Sequence, residues 1–517
     1  MACWCDGKCP YLDDIKKLAG EGKSRRVSLQ YRHVLMKAPL CVEANLAVAT
    51  ALWRGGNQPD AALVHIERAA ESGGETARTH FERGSALRAQ GRVDEAASEF
   101  YKAMEIDPNS PAVAVNLVSA LEMGGHVKQA AEVIGEARKS FPEDRMVRRQ
   151  AANIVALKKD YKKAIVILAG DDLDPTEFLD RGRYFEKSGE FGAAWDDWMK
   201  GKALLAARGH KYNAKRFETI FSALAEASAP PKPSFIPKAA PFEGIHPLFV
   251  TGFPRSGTTM MENALSQHSA IVAGDEMPAL HAVTDAMPAW LKVRPAYPNA
   301  MMALALGENS IMPNMLRDLY LAIALERIKL THRKKIAAPK FFTDKMPMNE
   351  MHLPLIGLLF PGTPVVYMRR HPLDVMLSCM SQWLVHGGFY AADLESCARH
   401  YLAVDQLVQV YLKNLYGAGG EQPLWGMPKL IVVRYERFVE APEEGMKEIL
   451  GAIGLSYQKQ CLHPHKNPRF ARTLSYQQVR EPINRNSVGR WKNFREQLKP
   501  AAEILAPILE RESYERI

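Results

Sequence analysis

A recurrence of 34 positions constrains the first 205 residues of this chain more than any other feature of its sequence. The clearest copies are Gly91, Ala96, Ala103 and Pro108, which recur as Gly125, Ala130, Ala137 and Pro142. Small side chains at fixed spacings let two antiparallel helices approach closely, and proline ends the second helix of the pair. The first part of the chain is therefore predicted to be a solenoid of stacked helix pairs.

Further copies of the pattern extend this region in both directions. Ala62 and Ala69 precede Ala96 and Ala103 by the same interval, and GEFGAAWDDWMKG repeats the internal spacings after a slip of a few residues. The pattern resembles the tetratricopeptide repeat over residues 42–205, with a possible degenerate unit at 12–41. The resemblance implies a concave face that holds a peptide or a partner protein. The alternatives are a rigid spacer or a dimerisation surface, which would make the protein a homodimer.

The composition is that of a globular protein with more than one domain. The chain has 517 residues, of which 47% are hydrophobic and 24% are charged, and this length exceeds what one core supports. The net charge of +9 serves solubility or favours an anionic ligand. The sequence has no block of five lysines or arginines and no DNA- or RNA-binding motif, so we expect no nucleic-acid partner.

The sequence predicts a cytoplasmic protein without a membrane span. It has no run of eighteen apolar residues, and the stretch MACWCDGKCPYLDDIKK has no apolar signal-peptide core. The seven cysteines are scattered, which argues against a disulfide framework. Cys3, Cys5 and Cys9 cluster, but no fourth ligand stands at a recognisable spacing, so we predict no metal site.

Proline marks a boundary between two domains. Six prolines fall within SAPPKPSFIPKAAPFEGIHP, a density that predicts an extended connector. We expect a helical repeat domain at 1–228, a linker at 229–246 and a second domain at 247–517. In the second domain the apolar runs HPLFVTGF, TPVVYMRR and PKLIVVRYE each precede a helical pattern. This alternation predicts an α/β domain with a parallel sheet and helices on both faces.

The segment LFVTGFPRSGTT, residues 248–259, places a glycine-rich turn between the first of these strands and a helix. At that position backbone amides and a helix N-terminus bind a phosphate group. The glycine spacing is that of a phosphate-binding loop, but Thr258 stands where a lysine would reach the β- and γ-phosphates. We also find no strand that ends in an aspartate for magnesium. The ligand is predicted to carry phosphates without a metal, which disfavours a kinase.

Together with the stretch from Arg370 to Ser378, PRSGTT resembles the sulfotransferases that use 3′-phosphoadenosine 5′-phosphosulfate. The resemblance implies that the loop binds the 5′-phosphosulfate, while Arg370 and Ser378 bind the 3′-phosphate. A sulfuryl group carries less charge than a phosphoryl group, so an arginine and hydroxyls can replace lysine and magnesium. The loop residues implied in nucleotide binding are Arg255, Ser256, Gly257, Thr258 and Thr259.

Over residues 247–495 the closest resemblance is to the tyrosylprotein sulfotransferases. GDEMPAL matches the segment with their catalytic base at Glu276, and TDKMPMN matches their catalytic lysine at Lys345. VVRYERF places Tyr435 at a nucleotide-contacting tyrosine. The stretch SYQQVREPINRNSVGRW resembles a loop that covers the nucleotide, with Ser475 beside the transferred group and Arg490 in place of a lysine.

This resemblance also assigns the catalytic roles. The residues that it assigns to catalysis are Glu276, Arg255, Lys345 and Ser475. Glu276 is implied as the general base, and the other three as donors that stabilise developing charge. Simpler roles stay open: Glu276 could stabilise a helix N-terminus, Lys345 could be an exposed loop residue, and Arg370 could pair with Asp374.

The sequence therefore predicts sulfuryl transfer to a hydroxyl, with tyrosine of a protein or peptide as the leading acceptor. A glycan, a lipid or a small phenol is an alternative acceptor. A different class of function is a repeat scaffold with an inactive nucleotide fold. Gln382 stands where the family has an arginine that contacts the 3′-phosphate, which puts that contact in doubt. The fusion of repeats to such a domain is typical of bacterial proteins.

Overall fold

The structure, a computed structural model, describes residues 24–54, 58–229, 236–305, 310–331, 339–384, 388–416, 426–466 and 481–517. The chain divides into two compact units, of which the first runs to Leu173 and also includes Lys187–Gly189. The second consists of Asp174–Glu186 and Glu190–Ile517. Cys3, Cys5 and Cys9 lie outside the described residues, as does the first part of the degenerate unit at 12–41.

The first unit consists of consecutive helices that pack in pairs. Its helices are α1 (Ser24–Lys37), α2 (Val42–Arg54), α3 (Pro59–Gly73), α4 (Ala77–Ala89), α5 (Val93–Ile106), α6 (Pro111–Gly124), α7 (Val127–Ser140), α8 (Arg145–Leu157) and α9 (Tyr161–Ile167). The recurring Ala62, Ala96 and Ala130 are fully buried between the helices. Gly125 ends α6 with φ 85°, a left-handed conformation that glycine adopts without strain. The predicted series of helix pairs is confirmed.

The second unit begins with helices and continues into alternating strands and helices. Its α-helices and strands are α10 (Pro175–Lys187), α11 (Phe191–Ala207), α12 (Ala214–Ala227), β1 (His246–Thr251), α13 (Thr258–Leu265), β2 (Ile271–Val272), α14 (Ala279–Trp290), α15 (Met312–Thr331), β3 (Phe341–Lys345), α16 (Leu353–Leu359), β4 (Pro364–Arg369), α17 (Pro372–Met380), α18 (Leu394–Leu415), β5 (Lys429–Arg434), α19 (Tyr435–Glu440), α20 (Pro442–Ala452) and α21 (Arg495–Arg511). Short 3₁₀ helices lie at Asn299–Ala305, Asn349–His352, Gly388–Ala392, Lys459–Leu462, Pro464–Lys466 and Arg490–Phe494.

The strands form one parallel sheet in the order β2-β3-β1-β4-β5. Successive residues of β1 face opposite sides, because Leu248 and Val250 enter one hydrophobic cluster and Phe249 enters the other. Burial on both faces explains the unbroken apolar runs of β1 and β4, whereas β5 lies at the edge of the sheet and is only partly buried. The predicted α/β domain with a parallel sheet is confirmed. The carboxyl ends of β1, β3 and β4 share one edge of the sheet, where ligands bind in such folds.

Helices α10 and α11 carry repeat-like spacings but pack within the second unit. A Cβ on Gly182 of α10 would lie 2.5 Å from the ring of Trp198 of α11, so only glycine permits this approach. Arg181 and Asp197 join the two helices through buried bonds of 2.6 and 2.8 Å. Trp198 is fully buried and its ring centroid lies 5.4 Å from that of Phe494. This helix pair therefore shares its core with the C-terminal part of the chain.

The proline-rich segment is only partly described, because Pro230, Pro231 and Pro233 lie outside the described residues. From Ile236 onward the chain is non-helical, and Ile236 and Ala239 are buried against the second unit. The Ala239 amide donates to the Leu358 carbonyl at 2.9 Å. None of the described helices combines the length and the apolar character needed to cross a bilayer.

Candidate active site

The turn after β1 is shaped by two glycines. Gly252 has φ 146° and a Cβ there would lie 2.4 Å from the backbone oxygen of Met368. Gly257 has φ 97°, and a Cβ there would lie 2.7 Å from the ring of Tyr435. Both positions therefore combine a left-handed backbone with a close approach that other residues do not permit. The turn leads directly into α13, whose first residues Thr258 and Thr259 are buried.

Arg255 connects this turn to α17. Its backbone has φ 76°, which is uncommon for a residue other than glycine. Its Nε donates to Ser378 Oγ at 2.9 Å, and Ser378 is itself buried on α17. Burial lowers the pKa of Arg255 to about 10, so the guanidinium stays protonated at neutral pH. The sequence separates these residues by 123 positions, and the fold brings them together.

Arg370 follows β4 and contacts three other segments of the chain, those of Arg255, Ser487 and Tyr435. Its Nη1 donates to the Arg255 carbonyl at 2.9 Å, and its Nη2 donates to the Ser487 carbonyl. Its guanidinium lies 4.9 Å from the ring centroid of Tyr435, within the range of a cation–π contact. The alternative pairing with Asp374 is present at 4.0 Å, the outer limit for an ion pair.

The carboxylate of Asp374 instead binds the two backbone amides on either side of Arg490. It accepts from the Gly489 amide at 2.7 Å and from the Trp491 amide at 3.0 Å. Arg490 lies between these two residues, and its side chain donates to Glu186 of α10 at 2.9 and 2.5 Å. Arg490, predicted to contact a nucleotide, is thus bound by a carboxylate. Ser475 lies outside the described residues.

Glu276 and Lys345 form a direct ion pair near the glycine turn. Lys345 is the last residue of β3 and is fully buried, so it is not an exposed loop lysine. Its Nζ donates to Glu276 Oε1 at 2.6 Å. The Glu276 side chain is 41% exposed, so one end of this pair is open to an incoming molecule. The two residues come from different segments, 69 positions apart.

A second carboxylate, that of the buried Glu350, binds the residues at the start of the glycine turn. Its Oε2 accepts from the Gly252 amide at 3.1 Å and from the Thr251 hydroxyl. Burial raises the pKa of Glu350 to about 7. Sequence reasoning missed this residue, because its segment MPMNE does not differ from an ordinary polar loop. The pairing joins positions 98 apart, and nothing in the local pattern predicts it.

Lys202 of α11 was missed for a similar reason. It is buried, and its Nζ donates to the carbonyls of Cys379 and Gln382 at 2.8 and 2.7 Å. The Cys379 carbonyl lies in the last turn of α17, which carries Ser378, and the Gln382 carbonyl follows that helix. A cation therefore binds acceptors at the C-terminal end of α17. The sequence shows only the helical spacing around Lys202, so this residue was assigned to the repeats. Gln382 Oε1 is buried and has no hydrogen-bond partner among the described residues.

Strand β3 carries Asp344 immediately before its last residue, Lys345, so the strand does not end in an aspartate. The carboxylate is buried and accepts from the Tyr320 hydroxyl at 2.6 Å, and burial raises the pKa of Asp344 to about 7. Among the described residues no group of three or more His, Cys, Asp or Glu is arranged to hold a metal ion.

Comparisons with known proteins agree with this architecture. Residues 247–459 match the family model described as "Sulfotransferase family", and residues 46–111 and 87–154 match models of the tetratricopeptide repeat. An uncharacterized protein of Aquifex aeolicus (strain VF5) is 28% identical over 50% of this chain and 32% of its own length. Protein-tyrosine sulfotransferase of Drosophila melanogaster is 23% identical over 47% of this chain and 46% of its own length. Protein-tyrosine sulfotransferase 2 of Gallus gallus is 24% identical over 52% of this chain and 69% of its own length. The chain thus spans a third to two thirds of these relatives.

Proposed function

We propose a specific reaction for this chain, on the basis of its match to the sulfotransferase family model at residues 247–459 and to tetratricopeptide-repeat models at residues 46–111 and 87–154. It transfers the sulfuryl group of 3′-phosphoadenosine 5′-phosphosulfate to an acceptor hydroxyl, with tyrosine of a protein or peptide as the leading acceptor. The observation that carries this proposal is the 2.6 Å pair of Glu276 and Lys345 beside a glycine turn lined by arginines. That arrangement combines a base, a cation and an anion-binding loop.

The residues at the turn fit an anionic nucleotide. Arg370 Nε and Ser256 Oγ are buried without a hydrogen-bond partner among the described residues, so both are spare donors. Buried donors without partners are costly unless a ligand uses them. We assign Arg255, Ser256, Gly257, Thr258 and Thr259 to the 5′ side of the nucleotide. The residues assigned to the 3′-phosphate and its surroundings are Arg370, Ser378, Tyr435 and Arg490. No metal is required for this assignment, because the arginines supply the positive charge.

The proposed chemistry uses the ion pair directly. The carboxylate of Glu276 accepts the proton of the acceptor hydroxyl while that oxygen attacks sulfur. A new O–S bond forms, the bond between sulfur and the bridging phosphate oxygen breaks, and 3′-phosphoadenosine 5′-phosphate leaves. Lys345 holds Glu276 and, with Arg255 and Ser475, stabilises the charge that develops on the leaving oxygen. As in phosphoryl transfer, most of the catalysis comes from positioning and charge stabilisation.

The repeats are the proposed binding site for the acceptor protein, because stacked helix pairs present extended surfaces to partners. The relatives named protein-tyrosine sulfotransferases favour tyrosine, and the same geometry also serves a glycan, a lipid or a small phenol. Among the described residues, Cys379, Cys397 and Cys461 are buried thiols that form no disulfide, which fits a protein of the reducing cytoplasm. A homodimer formed through the repeats is compatible with this assignment.

Replacement of the base tests the proposal. Glu276→Gln should lower kcat about a hundred- to ten-thousand-fold, because the amide cannot take the acceptor proton. Transfer is measured with nucleotide labelled in the sulfuryl group and a tyrosine peptide as acceptor. Glu503→Gln, at an exposed position of α21, is the matched control and should behave as the unmodified protein. Near-normal transfer by Glu276→Gln would refute the role of Glu276.

Two further measurements separate the alternatives. Calorimetry with 3′-phosphoadenosine 5′-phosphate should show saturable binding, and its absence would favour a scaffold with an inactive nucleotide fold. A panel of tyrosine peptides, glycans, lipids and phenols, tested with one purified sample, then ranks the acceptors by kcat/KM. If the acceptor is a peptide, shortening the repeats should raise KM for the peptide and leave kcat for a small phenol unchanged.

A further inference from the structure

Glu262 is a buried carboxylate that the proposed chemistry does not use. It lies on α13, the helix that continues the glycine turn, and only 1% of it is exposed. Its Oε1 accepts from the backbone amide of Asp275 at 2.9 Å and from the hydroxyl of Thr343 at 2.7 Å. One side chain therefore connects the helix after the turn to two other segments of the site.

Both segments carry a residue of the ion pair. Asp275 immediately precedes Glu276, and Thr343 lies on β3 two positions before Lys345. Thr343 Oγ1 also accepts from the Gly274 amide at 3.0 Å. The amides of two successive residues, Gly274 and Asp275, are thus held by the pair of Glu262 and Thr343. On the other side, the Lys345 amide donates to the Asp275 carbonyl at 3.0 Å.

The backbone at this point needs such support. Asp275 has φ 63°, a left-handed conformation that costs free energy in residues other than glycine and persists only where the surroundings enforce it. Its amide is bound by Glu262 and its carbonyl by Lys345, so both of its peptide groups are fixed. The direction in which the chain leaves Asp275 determines where the carboxylate of Glu276 lies.

We propose that Glu262 is a positioning residue that fixes where the carboxylate of Glu276 lies relative to the glycine turn. This inference rests on the proposed role of Glu276 as base. Because Glu262 lies on the helix that continues the turn, its bonds to Asp275 and Thr343 connect the nucleotide-binding segment to the segment that carries the base. A buried carboxylate is costly to place, and an apolar residue of similar size would serve packing alone. Its two bonds give it a positional role instead.

The proposal is tested by comparing two substitutions of one residue in the full chain. Glu262→Gln keeps an oxygen that accepts from Asp275 and Thr343, so kcat should stay within about threefold of the unmodified protein. Glu262→Ala removes the acceptor, so kcat should fall about 10- to 100-fold through misplacement of the base. Binding of 3′-phosphoadenosine 5′-phosphate should change little in either variant. Glu503→Ala, at an exposed position, is the control for the loss of a carboxylate.

A readout that does not depend on activity completes the test. Hydrogen exchange of the peptide that contains Gly274 and Asp275 should accelerate in Glu262→Ala and remain slow in Glu262→Gln. Thr343→Val removes the hydroxyl that joins Glu262 to Gly274 and should accelerate the same peptide, which keeps the test open if Glu262→Ala does not fold. Unchanged exchange and kcat in these variants would overturn the positioning role. If the unmodified protein transferred no sulfuryl group, the proposed function would be refuted instead.

Discussion

The contact between Gly274 and β3 supports a quantitative prediction. A Cβ at Gly274 would lie 2.1 Å from the backbone oxygen of Thr343 and 1.9 Å from Cε of Met277. The methionine can swing aside, since its end is flexible, but the oxygen belongs to a strand in the middle of the sheet. Real Cβ atoms essentially never approach closer than 3.0 Å, so Gly274→Ala must move the loop away from β3 by about 0.9 Å.

The displaced loop carries Glu276, so the effect should appear in catalysis. A misplacement of about 1 Å can cost about a hundredfold in rate, and we expect a loss in kcat of that order. The overpacked contact should also lower the free energy of unfolding by about 1–3 kcal/mol. Binding of 3′-phosphoadenosine 5′-phosphate should stay within about threefold, because the arginines of the turn lie on other segments.

Initial rates of sulfuryl transfer, calorimetry with the product nucleotide and thermal unfolding together measure this prediction. Gly451→Ala is the matched control, because Gly451 lies exposed on α20 with no atom within 4 Å of an added Cβ. That substitution should leave kcat unchanged and stabilise the protein by about 0.4–1 kcal/mol. If Gly274→Ala folded and turned over at the rate of the unmodified protein, the argument from close approach would be refuted.

Two further predictions concern groups that support the site. Burial raises the pKa of Glu350 from 4.5 to about 7, so the folded protein retains a proton that the unfolded chain releases above pH 4.5. The free energy of unfolding should therefore fall by about 3 kcal/mol as the pH rises through this interval, and Glu350→Gln should abolish that part of the loss in urea titrations at pH 5 and pH 8. An equal loss in both proteins would contradict the assignment. Second, a chain that begins at residue 174 should bind 3′-phosphoadenosine 5′-phosphate as the full chain does. A chain that begins at residue 247 should not, because it lacks the bonds of Glu186 to Arg490 and of Lys202 to the end of α17. Equal binding in calorimetry would show that α10–α12 are dispensable.

The sequence by itself determined the parts of this protein that depend on local pattern. The 34-residue recurrence predicts helix pairs, since Ala62, Ala96 and Ala130 must be small wherever two helices meet. The apolar runs at β1 and β4 predict buried parallel strands, because a strand covered on both faces cannot alternate with polar residues. The run at β5 also predicts a strand, but that strand lies at the edge of the sheet and is only partly buried. Gly252 and Gly257 were recognisable because their spacing and their place between strand and helix recur in phosphate-binding loops.

Strand β3 shows where local pattern fails. Its sequence FFTDK is short and ends in two charged residues, so it does not resemble a buried strand. The structure nevertheless places it between β1 and β2, with Asp344 and Lys345 both buried. The Tyr320 hydroxyl donates to Asp344 and the Glu276 carboxylate pairs with Lys345, and both partners come from distant positions. A charge can be buried where its partner is supplied by the fold, and no local window contains that information.

Only the tertiary structure decided which charges meet at the candidate site and which helices belong to it. Arg490 contacts Glu186 across 304 positions, and Lys202 contacts the end of α17 across 177. Helices α10 and α11 carry the spacing of the repeats, yet Leu179 and Trp198 of these helices belong to the hydrophobic core of the second unit. The physical reason is that helical spacing specifies one packing partner, the neighbouring helix. The second partner depends on the shape and charge of a surface that forms only when the rest of the chain has folded.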